Sequence, residues 1–140
     1  MIKDIGQGIA LALMAFFLGG LIFPKGIPWN REIAGAPVFE TVDIEAVRAA
    51  SKTGTPVLLD ARNPTSYAIG HIEKAINVPH NVQEEIIREV VKQPEIIAYC
   101  SEPSCPDSKD LAMRLWKAGA KSVKLYPGGW EEWSLAEGLR

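Results

Sequence analysis

Four short apolar runs punctuate the chain after its first third, at residues 57–59, 76–78, 96–99 and 123–125. They are composed mainly of valine, isoleucine and leucine, and glycine, proline or polar residues lie beside them. The runs at 57–59 and 96–99 are apolar at every position, whereas Asn77 and Lys124 interrupt the other two. Uninterrupted apolar runs of this length are typical of strands that are covered on both faces, as in a parallel sheet. The pattern therefore predicts short, buried strands.

Between these runs, apolar residues recur at helical spacing. The clearest case is residues 81–92, where glutamates lie largely opposite one apolar face. That face carries Val82, Ile86, Ile87, Val90 and Val91. A second helix is predicted at residues 108–118, and a helical turn at residues 64–67. Strands that alternate with helices in this way predict an α/β domain with a mainly parallel sheet.

Two further helices complete the predicted pattern. Thr41 or Asp43 can cap a short helix that begins just after the linker described below. Near the C-terminus, Trp130 and Trp133 have i, i+3 spacing on a last helix, and we interpret them as core residues.

Residues 5–23 contain no charge, and Gln7 is their only strongly polar side chain. As a helix this stretch would span about 28 Å, which matches the hydrocarbon core of a bilayer. A cleavable signal peptide is the main alternative, although its basic region is weak because Asp4 follows Lys3; a buried soluble helix is the third. We expect a transmembrane anchor at residues 5–23, a linker at 24–40 and a folded domain at 41–140.

Charge does little to fix the orientation of this anchor. Lys3 and the amino terminus on one side nearly balance Lys25 and Arg31 on the other. An N-terminal anchor followed by a linker is a simple route to an extracytoplasmic domain, so a periplasmic location is favoured. The net charge of −2 and the absence of a basic cluster argue against nucleic-acid binding.

The two cysteines, Cys100 and Cys105, lie in one loop directly after the run at residues 96–99. In a parallel α/β sheet, ligands bind at the carboxyl ends of strands, where the next helix begins. The helix N-terminus lowers a thiol pKa and favours the nucleophilic thiolate. Cys100 is therefore a candidate nucleophile; a buried structural cysteine, or a disulfide with Cys105, is the alternative.

Several fragments, in order, resemble the rhodanese domains. They are Asp60-Ala61-Arg62, Gly70-His71-Ile72 with the segment that runs on to Pro79, Tyr99-Cys100, and Gly128-Gly129-Trp130. The resemblance extends from Thr41 to Arg140. It implies a central five-stranded parallel sheet flanked by helices, and a sulfurtransferase without metal or organic cofactor. Cys100 would take sulfane sulfur from thiosulfate or a persulfide and pass it to a thiol or another thiophilic acceptor.

The loop after Cys100 departs from the usual family pattern, because it is about two residues longer and lacks a basic residue. The predicted substrate-binding residues are Ser101, Glu102, Pro103, Ser104, Cys105, Pro106, Asp107 and Ser108. The two prolines remove N–H donors, and the two acids disfavour an anionic donor. A persulfide, polysulfide or protein-bound donor is thus at least as plausible as thiosulfate. Phosphatase activity is not expected, since the loop has no arginine to bind a phosphate.

The other candidate residues have two interpretations each. Cys105 is either a redox partner that resolves a modified Cys100 into a disulfide, or a plain loop residue. We interpret Asp60 and Arg62 mainly as a structural pair near the site, and catalytic charges are the alternative. We interpret His71 mainly as a hydrogen-bonded structural histidine, and a general acid or base is the alternative.

Three functions remain open for the whole chain. The first is a membrane-anchored sulfurtransferase with Cys100 as sulfur carrier. The second is a membrane-tethered redox or binding module that cycles between the Cys100–Cys105 dithiol and disulfide. The third is a catalytically silent domain used for protein interaction.

Overall fold

A computed structural model describes residues 37–139 of the chain. It contains a five-stranded sheet whose paired neighbours are all parallel. The strands are β1 (Glu40–Thr41), β2 (Val57–Asp60), β3 (Ile76–Asn77), β4 (Ile96–Tyr99) and β5 (Val123–Tyr126). The order across the sheet is β1-β5-β4-β2-β3, so β4 lies at its centre.

Five helices connect or follow these strands. They are α1 (Ile44–Thr53), α2 (Pro64–Ile69), α3 (Glu84–Val90), α4 (Asp107–Lys117) and α5 (Gly129–Ala136). Asp43 caps α1 by accepting a hydrogen bond from the main-chain N–H of Ala46, at 3.0 Å. This confirms one of the two caps predicted for that helix.

Apolar cores cover both faces of the sheet, because neighbouring residues of a strand point to opposite sides. On β4, Ile96 and Ala98 pack against apolar side chains of α3 and α4, whereas Ile97 and Tyr99 pack with those of α1 and α5. All four β4 residues are buried. The prediction of a buried parallel sheet with helices on both sides is therefore confirmed.

The register brings the carboxyl ends of three strands together. Tyr99, the last residue of β4, is paired with Asp60 of β2 on one side and with Tyr126 of β5 on the other. The segments that follow β2, β4 and β5 consequently leave the sheet at the same edge. This edge is where Cys100 lies.

Two local predictions differ from the structure. The helix predicted at residues 81–92 is confined to Glu84–Val90, and Ile86, placed on its apolar face, is 43% exposed. Strand β1 falls at the boundary between the predicted linker and the domain, where two residues were too few to form a recognisable pattern. Trp133 is buried as predicted, and Trp130 is half-buried.

The anchor predicted at residues 5–23 lies outside the described residues. Between residues 37 and 139, the helices are too short and too polar to cross a bilayer.

Candidate active site

Cys100 follows β4 directly and is 2% exposed. The start of α5 holds its main chain in place. The Trp130 N–H donates to the Cys100 carbonyl oxygen at 2.9 Å, and the Glu131 N–H donates to the Ser101 carbonyl oxygen, also at 2.9 Å. The loop therefore begins from a fixed point, because two of the otherwise unpaired N–H groups at a helix N-terminus hold it.

Gly129 makes this contact sterically feasible. Its φ is +62°, in the left-handed region that glycine adopts readily. A Cβ atom at this position would stand 2.6 Å from the Cys100 carbonyl oxygen and 2.8 Å from the Ser101 carbonyl oxygen. The Gly-Gly-Trp segment thus has a physical role, since any side chain at residue 129 would displace the start of the loop.

Cys100 and Cys105 form a disulfide, with their Cα atoms 6.2 Å apart. The loop folds back between them, and the Cys105 N–H donates to the Glu102 carbonyl oxygen at 3.1 Å. Cys105 is partly exposed, in contrast with the buried Cys100. The sequence left open whether these residues would pair; in this structure they do.

The remainder of the loop carries free donors and negative charge. Among the hydrogen bonds of residues 37–139, the main-chain N–H groups of Ser101, Glu102 and Ser104 are not used. Such donors can stabilise an anionic sulfur species near Cys100. Glu102 is exposed and Asp107 partly so, which puts negative charge on the side from which a donor would approach. Ser108, by contrast, is buried in the first turn of α4.

Asp107 lies beside the two sulfur atoms. One of its carboxylate oxygens and both cysteine Sγ atoms are all within 4.8 Å of one another. His80 Nδ1 is 3.4 Å from Asp107 Oδ1, and Arg114 fixes the main chain of His80 by donating to its carbonyl oxygen at 2.6 Å. With reduced thiols, these groups include ligand types that hold Zn²⁺ in proteins. The family resemblance itself implies no metal.

Asp60 and Arg62 form a buried ion pair next to the site. Their side chains are 0% and 6% exposed, and Arg62 Nη2 donates to Asp60 Oδ2 at 2.6 Å. The same Nη2 donates to the Gly70 carbonyl oxygen at 2.7 Å. The Arg62 guanidinium also lies 5.1 Å from the ring centroid of Trp130, the residue that holds Cys100. These contacts occupy the guanidinium and link the end of β2 to the start of α5.

Tyr99 ties a distant segment to the same edge of the sheet. Its hydroxyl oxygen accepts a hydrogen bond from the Ile72 N–H at 3.2 Å. Burial raises the pKa of Tyr99, and the neighbouring Asp60 carboxylate raises it further. Sequence reasoning identified Tyr99 only as the residue before Cys100, and it missed His80 altogether. The contact of Tyr99 with Ile72 and that of His80 with Asp107 each join residues 27 positions apart, and no local pattern indicates such contacts.

His71 lies on the surface, beside Tyr67. Its Nδ1 is 3.0 Å from the Tyr67 carbonyl oxygen, and the two rings stack with centroids 3.8 Å apart. These contacts are local and join His71 to α2. They involve none of the residues in the loop after Cys100.

Comparison with known proteins agrees with this geometry. The profile of the rhodanese-like domain matches residues 43–136. The chain is 30% identical over 105 residues to the HTH-type transcriptional regulator Rv0324 of Mycobacterium tuberculosis; the match covers 75% of this chain and 46% of that protein, less than half of the relative's length.

Two solved structures illustrate the similarity of fold. The BH2092 protein of Bacillus halodurans superposes with a TM-score of 0.63 at 29% identity, over 70% of this chain and 73% of that one. The single-domain sulfurtransferase RDL2 of Saccharomyces cerevisiae superposes with a TM-score of 0.57 at 20% identity, over 73% and 93%. At that identity, the second similarity concerns the fold alone.

Proposed function

Because the chain belongs to the rhodanese-like domain family, we propose that it is a sulfurtransferase that carries sulfane sulfur as a persulfide on Cys100. The observation that carries this proposal is the position of Cys100. It sits at the carboxyl end of the central strand and opens a loop just before the N-terminus of α4, and several N–H groups of that loop donate to no other group in residues 37–139. Those donors favour both a thiolate and an anionic persulfide.

The disulfide defines which form of the protein is competent. Cys100 has no free thiol while it is bonded to Cys105. The proposed reaction therefore begins with the reduced chain, in which the Cys100 thiolate attacks the sulfane sulfur of a donor. The oxidised chain is the resting or inhibited form of the same site.

Charge at the loop favours a persulfide or polysulfide donor over thiosulfate. Thiosulfate is a dianion, and the loop carries Glu102 between the two cysteines and Asp107 two residues after Cys105. Among the described residues, the side chain that pairs with Asp107 is His80, whose Nδ1 lies 3.4 Å from Asp107 Oδ1. His80 is cationic only when it is protonated. Coulomb repulsion should therefore weaken thiosulfate binding more than the binding of a singly charged or neutral donor.

Mass spectrometry of the reduced full-length chain tests the proposal. We expect glutathione persulfide or polysulfide to add sulfur to wild-type protein or convert it to the disulfide, and to add one sulfur atom to Cys105→Ser. The Cys100→Ser variant should take up no sulfur. Failure of Cys105→Ser to gain sulfur from any of the donors, thiosulfate included, would contradict the proposal.

A second candidate function is a thiol redox or binding module that cycles between dithiol and disulfide. The Cys100–Cys105 disulfide is the specific observation that favours it. In that case the Cys100–Cys105 disulfide would equilibrate with a redox buffer without any sulfane donor. The reduction potential of the pair would lie near the redox potential of its compartment. A chain that equilibrates in this way but never accepts sulfur would support this function over the first.

We also propose that residues 5–23 anchor the chain in a membrane, with the domain on the extracytoplasmic side. The uncharged apolar stretch of bilayer-spanning length supports the anchor. Extraction of membranes with alkaline carbonate should leave the full chain in the membrane pellet and release a chain that lacks residues 1–36. A reporter fused to the C-terminus gives the side of the membrane.

A further inference from the structure

We propose that Cys105 acts on the Cys100 persulfide and releases its outer sulfur as hydrosulfide, so that the domain reduces sulfane sulfur rather than only transferring it. This inference rests on the sulfurtransferase function proposed above and specifies the fate of the sulfur. The observation behind it is that the loop conformation in the structure brings Cys105 Sγ to Cys100 Sγ.

Cys100 Sγ becomes the inner sulfur of the persulfide. The structure shows that the loop can bring Cys105 into bonding contact with this particular atom. The Trp130 N–H holds the main chain of Cys100, and the residue is only 2% exposed, so the proposal assigns the approach of the two sulfur atoms to movement of Cys105. Attack on the inner sulfur expels the outer one, whereas attack on the outer sulfur would merely move it to Cys105.

The steps balance as follows. The Cys100 thiolate takes sulfur from a persulfide donor: Cys100–S⁻ + R–S–SH gives Cys100–S–S⁻ + R–SH. Cys105 then attacks: Cys100–S–S⁻ + Cys105–SH gives Cys100–S–S–Cys105 + HS⁻. The sulfane sulfur gains two electrons, and the two cysteine sulfurs lose one each. The proton of Cys105 leaves with the hydrosulfide.

That proton has a nearby carrier. A carboxylate oxygen of Asp107 lies within 4.8 Å of both sulfur atoms, and His80 Nδ1 is 3.4 Å from Asp107 Oδ1. Asp107 can therefore accept the proton as Cys105 becomes a thiolate and return it to the departing sulfur. The acidic residue that disfavours thiosulfate thus has a use in this reaction.

The second half of the cycle needs an external reductant, which we assign to the chemical class of dithiols. A dithiol reduces the Cys100–Cys105 disulfide by two successive thiol–disulfide exchanges and is itself oxidised to a disulfide. The net reaction converts one persulfide and one dithiol into one thiol, one hydrosulfide, one proton and one disulfide.

A single-turnover experiment tests this inference. The full-length chain is reduced, freed of reductant and mixed with one equivalent of glutathione persulfide, and hydrosulfide is trapped with an alkylating bimane. Wild-type protein should release about one hydrosulfide per chain above a protein-free blank, and its mass should fall by two hydrogens as the disulfide forms. Cys105→Ser and Cys105→Ala should gain one sulfur and release no hydrosulfide above the blank.

The outcomes separate the inference from the function on which it rests. If wild-type protein keeps the added sulfur as long as the two Cys105 variants do, or holds it on Cys105, the inference is overturned and the sulfurtransferase proposal stands. If neither wild type nor the variants accept sulfur from glutathione persulfide, the inference is overturned; if they also accept none from polysulfide or thiosulfate, the sulfurtransferase proposal is overturned with it. Loss of hydrosulfide in Asp107→Asn with the persulfide retained would assign the proton transfer to Asp107.

Discussion

The α-carbon of Gly129 packs against the main chain of Cys100 so closely that a Cβ atom there would stand 2.6 Å from the Cys100 carbonyl oxygen. The contact joins the start of α5 to the first residue of the cysteine loop, and it depends on a positive φ and on the absence of a side chain. Two residues that are 29 positions apart thereby form one unit.

Gly129→Ala should therefore damage both stability and the loop. The left-handed backbone costs alanine about 1–2 kcal/mol, and the steric clash adds about 1–3 kcal/mol, since the atoms met are main-chain atoms. Gly138→Ala is the matched control, because its φ of +67° is similar and nothing lies within 4 Å of its Cβ position. Urea denaturation should show the larger loss for Gly129→Ala; equal losses would contradict the role of the contact.

Arg62→Met should destabilise the domain by about 3–5 kcal/mol, because it leaves the Asp60 carboxylate buried without its partner. It also removes the cation that stacks on Trp130. Arg48→Met provides the comparison: Arg48 pairs with Glu45 and Glu137 at a partly exposed position and should change stability little. Chemical denaturation of both variants checks the prediction, which fails if Arg62→Met is as mild as Arg48→Met.

Stability should fall as the pH rises above about 10, the ordinary tyrosine pKa. Burial raises the pKa of both Tyr99 and Tyr126, with Asp60 and Glu132 respectively as the second cause. In this range the unfolded chain loses tyrosine protons that the folded chain still holds, so the free energy of unfolding decreases with pH. Tyr99→Phe and Tyr126→Phe should each make this decrease less steep in denaturation curves measured from pH 8 to 11.

The same two substitutions should differ at neutral pH. The Tyr99 hydroxyl accepts the Ile72 N–H, so Tyr99→Phe leaves a buried donor unsatisfied, at a cost of about 1–3 kcal/mol. The buried Tyr126 hydroxyl makes no hydrogen bond of good geometry among the described residues, and the nearby Glu132 carboxylate raises its pKa. Tyr126→Phe should therefore be neutral or stabilising at pH 7, and a loss as large as that of Tyr99→Phe would contradict this.

Glu102→Gln should raise the rate at which the reduced chain accepts sulfur from thiosulfate by about two- to tenfold, because a nearby negative charge is removed. The gain should shrink as salt is added, since the residue is exposed. Glu89→Gln changes the net charge equally, but Glu89 lies in helix α3 and not in the cysteine loop, with Lys92 as its partner. Initial rates measured for the two variants distinguish a local effect from a general one, which would raise both equally.

The sheet and the position of Cys100 were predictable because each depends on local sequence. The run at residues 96–99 is apolar at every position and ends abruptly at the cysteine, so both the strand and the loop could be located. Strand β1 was missed because its two residues, Glu40 and Thr41, are polar and exposed, and they form a strand through their pairing with β5. Local propensity carries no information about such pairing.

The surroundings of the cysteines could not be predicted, because they depend on contacts between distant segments. The approach of His80 to Asp107 and the hold of α5 on the loop follow from the order of the strands, not from local pattern. Helix α3 was predicted too long because Val82 and Val91, which lie beyond its two ends, also pack against the core and extend the apolar pattern; Ile86, within the helix, is left partly in water. The catalytic role of Cys100 stays a prediction.

Cys100 and Cys105 are buried to different extents, so an external thiol should attack one sulfur atom of the disulfide in preference to the other. Cys100 is 2% exposed and Cys105 is partly exposed, so an incoming thiol meets Cys105 first. The mixed disulfide then forms on Cys105, and Cys100 leaves as the thiolate that the neighbouring N–H donors stabilise. A reductant with its second thiol removed should consequently become trapped on Cys105 alone, on a chain whose Cys100 is already able to accept sulfur.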